Sequence, residues 1–347
     1  DTLTLSLSLD GLYVRVYDPN NLLAAGSGAT QVDANTVEVL LASITGNIQV
    51  NTLGGNDTLT VDLTGGNPIP AGGIAFTGGE NAGDNDQLNI FGSTTVSTIT
   101  VGHTGAEAGS VVLSGLGTVF YAQIEPLFID VPSSDLIINL PAGPNADTTL
   151  GDDGVAPFDA VNDVGKSAIY DSTSPYSFEY TKFTNPTNSL TINRGSATDN
   201  LTVLNLVDSG LNASLKIGDV GSEFNTLTFN GPITLAANKN LAANALGTIS
   251  LPTTTSDLAA SGTGTVDLTT ARDIALTTGS SITTVNGGLT LKANQLGSTA
   301  GNFVGIDVNG ATVTTTGSGN VLLQGRGGDT GNDNSGVRVR GGGVVSG

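Results

Sequence analysis

The chain has 347 residues, of which 38% are apolar and 12% charged, with 49 glycines, 12 prolines and no Cys, Met or Trp. Enough apolar surface is present to bury a core, which excludes a disordered polymer, and the missing cysteine excludes disulfides, thiol catalysis and Cys-based metal centres. A formal charge of −20 argues against nucleic acid as a partner, and since residues 1–165 carry nineteen acids against Arg15 alone, a divalent cation or a basic partner is the natural complement there.

From Asp1 to Asp10 the sequence DTLTLSLSLD alternates Leu with Thr or Ser and predicts one long strand with a single apolar face, continued after Gly11 as far as Tyr17. So regular a strand lies on the chain's own sheet or caps it, or adds to a neighbouring copy. Strands follow at residues 36–41 and 44–50. A turn-then-strand phrase recurs at Asp57-Thr58-Leu59, Asp86-Gln87-Leu88, Asp199-Asn200-Leu201 and Asn225-Thr226-Leu227. The first two copies are 29 residues apart and the last two 26, close to one turn of a coil with loop insertions.

Residues 141–164 and 170–186 break the alternation and gather Phe158, Tyr170, Tyr176, Phe178, Tyr180 and Phe183. They read as an excursion on the side of the coil or a small inserted subdomain. Residues 235–246, LAANKNLAANAL, fit either one helical turn or a variant of the repeat.

From Thr265 onwards short apolar strands return at a nearly fixed interval, as in Val266-Asp267-Leu268, Leu289-Thr290-Leu291, Val313-Thr314-Thr315 and Val337-Arg338-Val339. Steps of 23, 24 and 24 residues separate these four, with shorter strands between them. Eight residues hold one short strand and a turn, too little for a helical crossover. The turns use Gly, Asn, Ser and Thr, which accept positive φ or bond their own backbone. The predicted fold is all-β, a right-handed parallel β-helix (β-solenoid) with three short strands and about 24 residues per rung. Three parts are expected: an acidic β-rich part at 1–165, an aromatic-containing excursion with further rungs at 166–230, and a regular β-helix with an open C-terminal end at 231–347.

Gly54-Gly55-Asn56-Asp57-Thr58-Leu59 resembles the nonapeptide of repeats-in-toxin proteins, whose Gly-Gly-x-Gly-x-Asp turns chelate calcium between rungs; here the third Gly is missing and no two copies lie nine residues apart. The candidate calcium ligands are Asp57, Asp84, Asp86, Asp152, Asp153, Asp329 and Asp333, because hard cations take clustered carboxylate and carbonyl oxygens. The alternative is that these acids bond the amides of their own turns. Polysaccharide lyase or hydrolase chemistry needs facing carboxylates or a base beside metal-binding acids. Residues 16–165 contain no Lys or Arg, so no enzyme is expected. His103, the only histidine, is expected in a surface turn.

The phrases Ile124-Glu125-Pro126-Leu127, Ile138-Asn139-Leu140-Pro141-Ala142-Gly143, Phe183-Thr184-Asn185-Pro186 and Ser189-Leu190-Thr191-Ile192-Asn193 resemble those of very long secreted bacterial repeat proteins, of the kind planctomycetes make, and the C-terminal rungs are similar to filamentous-haemagglutinin-type repeats. The resemblance implies an extracellular or cell-surface structural protein, a rigid rod within a fibre, filament, stalk or adhesin. The alternatives are a carbohydrate-binding adhesion module, with the aromatics of 158–183 in a groove, or a β-helical polysaccharide lyase or hydrolase. The expected partners are another copy, by strand addition through Asp1 to Asp10 or head-to-tail stacking at the Gly347 end, and extracellular polysaccharide. No apolar run reaches membrane-spanning length, so no membrane insertion is expected, and a start at Asp1 without a signal peptide reads as a processed or excised piece.

Overall fold

Three apolar ladders run through the C-terminal half of the computed structural model, which describes residues 1–79, 85–154, 161–206 and 211–347. In the first, Leu227, Ile249, Ile274, Ile306 and Val337 sit one above another in parallel register. In the second the sequence is Leu215, Leu241, Val266, Leu289 and Val321, and in the third Ile233, Leu258, Ile282, Val313 and Val345. Each ladder belongs to its own sheet, and its side chains are buried until the last level. The pleat explains this arrangement. Leu and Ile alternate with Thr, Ser, Ala or Asp, so one face turns inward and the other stays wet.

Among the described residues the strands form sheets of sixteen, twelve and five members, with 47% strand and 1% helix overall. Residues bonded between neighbouring strands of one sheet are 26 apart at Asn200–Thr226, 24 at Asp257–Ser281 and 32 at Thr314–Ser346. The interval read from the sequence therefore holds between Val266 and Leu289, which do pair, and fails beyond. Leu289 stacks on Val321 and Val313 on Val345, so the steps 289 to 313 and 313 to 337 join different sheets. Turns at 294–305 and 326–336 lengthen the final repeats, and they carry no apolar alternation to show it.

Antiparallel segments interrupt the parallel pattern in the first two thirds. The first strand, Thr2–Leu7, does not run on to Tyr17: the chain turns at Ser8–Gly11, where Gly11 takes φ +75°, and Tyr13–Tyr17 returns antiparallel. Thr2–Leu7 also pairs in parallel with Thr58–Asp62, so both its edges are occupied within the chain. A second insertion places Ala108–Leu113 between Val96–Gly105 and Gly117–Ala122. In the third, Lys166–Asp171 lies antiparallel between Thr148–Asp152 and Thr181–Thr184. The irregular middle is thus part of the sixteen-stranded sheet, and it stretches the step between stacked Asn139 and Asn193 to 54 residues. Residues 235–246 are not helical; they contribute to the strands Ile233–Leu235 and Leu241–Ala245.

Candidate functional site

Four strands of the sixteen-stranded sheet align their outward residues beside the third insertion. Thr60 pairs with Asn89, Asn89 with Phe128 and Phe128 with Lys182; two residues further along, Asp62 pairs with Phe91 and Phe91 with Asp130. The alternating partners Leu59, Leu88 and Leu127 point into the core and fix this outward row. Residues Val161 and Asp163 form a wall, and the groove between holds about 430 Å³. Its floor is amide, hydroxyl and aromatic, with Phe91 44% exposed.

Charges at the wall are paired. Lys182 Nζ lies 2.8 Å from Asp153 Oδ2, 2.7 Å from Asp163 Oδ2 and 5.8 Å from the centroid of Phe128. Lys166 Nζ lies 3.0 Å from Asp130 Oδ2 and 3.6 Å from Asp163 Oδ2, while the Thr184 hydroxyl donates to Asp130 Oδ1 at 2.8 Å. The hydrogen bond from Lys182 holds the Asp163 carboxyl below the usual range. With both lysines engaged by carboxylates, the groove has no net pull on a strong anion. An aromatic face flanked by amides and hydroxyls suits a neutral polyol such as a sugar ring.

Behind the same sheet lies a second polar cluster. His103 is buried in the strand Val96–Gly105, not in a surface turn as expected. The Tyr121 hydroxyl sits 3.0 Å from its Nδ1 and the Thr181 hydroxyl 3.4 Å from its Nε2. Burial drives the imidazole down to about 3, so it is neutral. Nearby, burial and then a hydrogen bond that protonated Glu125 donates to Glu107 push Glu125 up to about 7, and burial raises Glu179 well above the carboxylate range.

The candidate calcium ligands are dispersed. Asp57 and Asp86 occupy stacked turns, and the Asp57 amide donates to Asp86 Oδ1 at 2.8 Å while the Asp1 amino group reaches Asp57. Asp84 lies outside the described residues. Asp152 accepts from Asn162 Nδ2, Asp153 holds Lys182, Asp329 accepts from the Gly301 amide, and Asp333 is bound by the Arg338 guanidinium. Among the described residues no three His, Cys, Asp or Glu side chains are grouped to hold a metal ion.

The aromatics expected to form a platform are elsewhere. Tyr170, Phe178, Tyr180 and Phe183 are buried, Tyr176 is 37% exposed, and Phe158 lies outside the described residues. The groove uses Phe91 and Phe128 instead. Lys166 and Lys182 were the detectable signal, being the first cations after Arg15 in an acidic run. No helix among the described residues is long and apolar enough to cross a membrane. Comparison with family models, with curated proteins and with solved structures returned no match.

Proposed function

We propose that this chain is a rigid, right-handed parallel β-helical rod of three strands per rung that serves as an extracellular structural element, of the fibre, stalk or adhesin kind that its resemblance to long secreted bacterial repeat proteins implies. The observation that carries this reading is the trio of apolar ladders in parallel register, since each level buries its apolar face only against the levels above and below. Stacking of that sort gives stiffness along one axis. A sheet of sixteen strands at about 4.8 Å each extends about 70 Å.

At the last level, Val321–Gly325, Val337–Arg340 and Val344–Ser346 are the edge strands of all three sheets. They frame an open recess of about 710 Å³ that includes Val337, Val339 and Val345 beside Asn320 and Ser346. Parallel pairing there, by further residues of the same polypeptide or by a second copy, would lengthen the rod. Negative-stain imaging and small-angle scattering test the reading: a thin particle of that length supports it, and a compact spheroid overturns it.

A second reading rests on the groove over Phe91 and Phe128, which favours a carbohydrate-binding role on the side of the rod. Glycan-array binding that disappears in Phe91→Ala supports it. Catalysis fits less well, because Lys166 and Lys182 are held by carboxylates and His103 is neutral and enclosed. Release of unsaturated products from acidic polysaccharide would reverse that ranking. Calcium between the stacked turns at Asp57 and Asp86 is the cofactor proposal, and a calcium-dependent rise in Tm is its test.

A further inference from the structure

The pairing of Lys182 with Asp153 is unusual in its burial. The Asp153 side chain is fully enclosed, the Lys182 side chain is 8% exposed, and Asp153 Oδ1 is buried without a hydrogen-bond partner. A buried ion pair carries a heavy desolvation cost that its mutual attraction only partly offsets. Condensation to an amide removes both charges and releases the unpartnered oxygen as water.

We infer that Lys182 and Asp153 form an intramolecular amide cross-link, with Asp163 carrying the protons. The Asp163 carboxylate, 2.7 Å from Nζ, accepts a proton from the Lys182 ammonium, and the freed amine attacks Asp153 Cγ. Oδ2 of Asp153 already accepts the Asp163 backbone N–H at 2.9 Å, and that donor holds the developing oxyanion. The new C–N bond forms, the C–Oδ1 bond breaks, and Oδ1 departs as water with two protons from the original ammonium, both relayed through Asp163. Asp163 ends as the carboxylate it began. Asp163 is 41% exposed at its side chain, so solvent favours its return to the carboxylate after each proton it passes on; the enclosed Asp153 is the acyl donor.

The topology gives the bond a purpose. Asp153 follows the strand Thr148–Asp152, and Lys182 lies in Thr181–Thr184; Lys166–Asp171 runs between those strands, antiparallel to both. A cross-link joins the outer strands of the insertion and closes its loop, which a chain without cysteine cannot do with a disulfide.

Intact mass spectrometry of the purified full chain is the test. The expected mass is one water below the sequence mass, with proteolysis giving a branched peptide that joins the Asp153 and Lys182 segments. Lys182→Arg should restore the full sequence mass, and Asp163→Asn should slow the cross-link on the order of 100-fold, as loss of a positioned proton carrier does. A native chain that keeps the full mass after prolonged incubation, or a branch through Lys166 or Asp163 instead, overturns the assignment. The native chain alone decides this if a variant fails to fold. Particle shape is a separate measurement, so the rod reading stands or falls apart from it.

Discussion

The Asp307 carboxylate receives the Arg338 guanidinium from the next level of the same sheet, at 3.2 Å from Nε and 2.8 Å from Nη2. The two residues are register partners between Ile306–Asn309 and Val337–Arg340, so the strand pairing itself sets the fork against the carboxylate. Arg340 adds two further donors, Nε at 3.1 Å and Nη2 at 2.8 Å.

Asp307→Ala is therefore expected to loosen the pairing of the terminal strand Val337–Arg340 with Ile306–Asn309. The side chains involved are partly exposed, so the cost is about 1 kcal/mol, not the larger value of a buried pair. Hydrogen exchange should speed up in Val337–Arg340 and leave Val266–Thr270 unchanged, because levels in a stacked fold lose stability locally. Equal acceleration in both strands would refute it.

Two adjacent glycines give a sharper contrast. A Cβ on Gly287 would lie 2.0 Å from the carbonyl oxygen of Gly264 one level below, whereas one on Gly288 would meet nothing nearer than 3.9 Å. The corner repeats, since a Cβ on Gly319 would lie 2.1 Å from Gly287 O. Gly287→Ala should cost about 2 kcal/mol through forced separation of the turns, and Gly288→Ala well under 1 kcal/mol. Thermal denaturation of the two variants checks the difference, and similar losses would show that the corner can open.

His103 gives a third test. Tyr121→Phe removes the hydroxyl that pairs with Nδ1 and leaves a buried ring nitrogen without that partner, at a cost of about 1–3 kcal/mol. His103→Leu removes that nitrogen, so the double variant should lose less than the sum of the singles. Additive losses in a denaturant-melt cycle would mean that the two side chains do not act as a pair.

These features differ in how far the residues announce them. Alternation at Leu289-Thr290-Leu291 reveals a strand and its buried face, but the same pattern marks strands of all three sheets, so the pairing of Leu289 with Val321 in place of Val313 is invisible until the intervening turns are placed. Lys166–Asp171 escapes for the opposite reason: from Ser167 to Asp171 it is buried on both faces, which erases the period of two. The Ser167 hydroxyl even donates to Leu206 O at 2.5 Å. The groove is assembled from Thr60, Asn89, Phe128 and Lys182, neighbours only through register across four strands.

The dependence of stability on pH follows from two opposed sets of carboxyls. Glu125, raised to about 7 by burial and by its bond with Glu107, and Glu179, raised by burial and by the charge of Glu125, favour the protonated form in the folded chain. Their contribution is complete below the ordinary glutamate pKa and is lost as pH rises, through about 7 for Glu125 and in the same direction for Glu179. Asp307, lowered to about 2 by its arginines against the opposing effect of burial, contributes fully above the ordinary aspartate value and loses that contribution as pH falls through about 2. Stability should therefore peak near pH 5 and decline towards pH 8. Glu125→Gln, which keeps the shape and cannot ionise, should raise Tm at pH 8, leave it nearly unchanged at pH 5, and flatten the curve between. A decline towards pH 8 that persists unaltered in Glu125→Gln would place its origin outside the Glu107, Glu125 and Glu179 cluster.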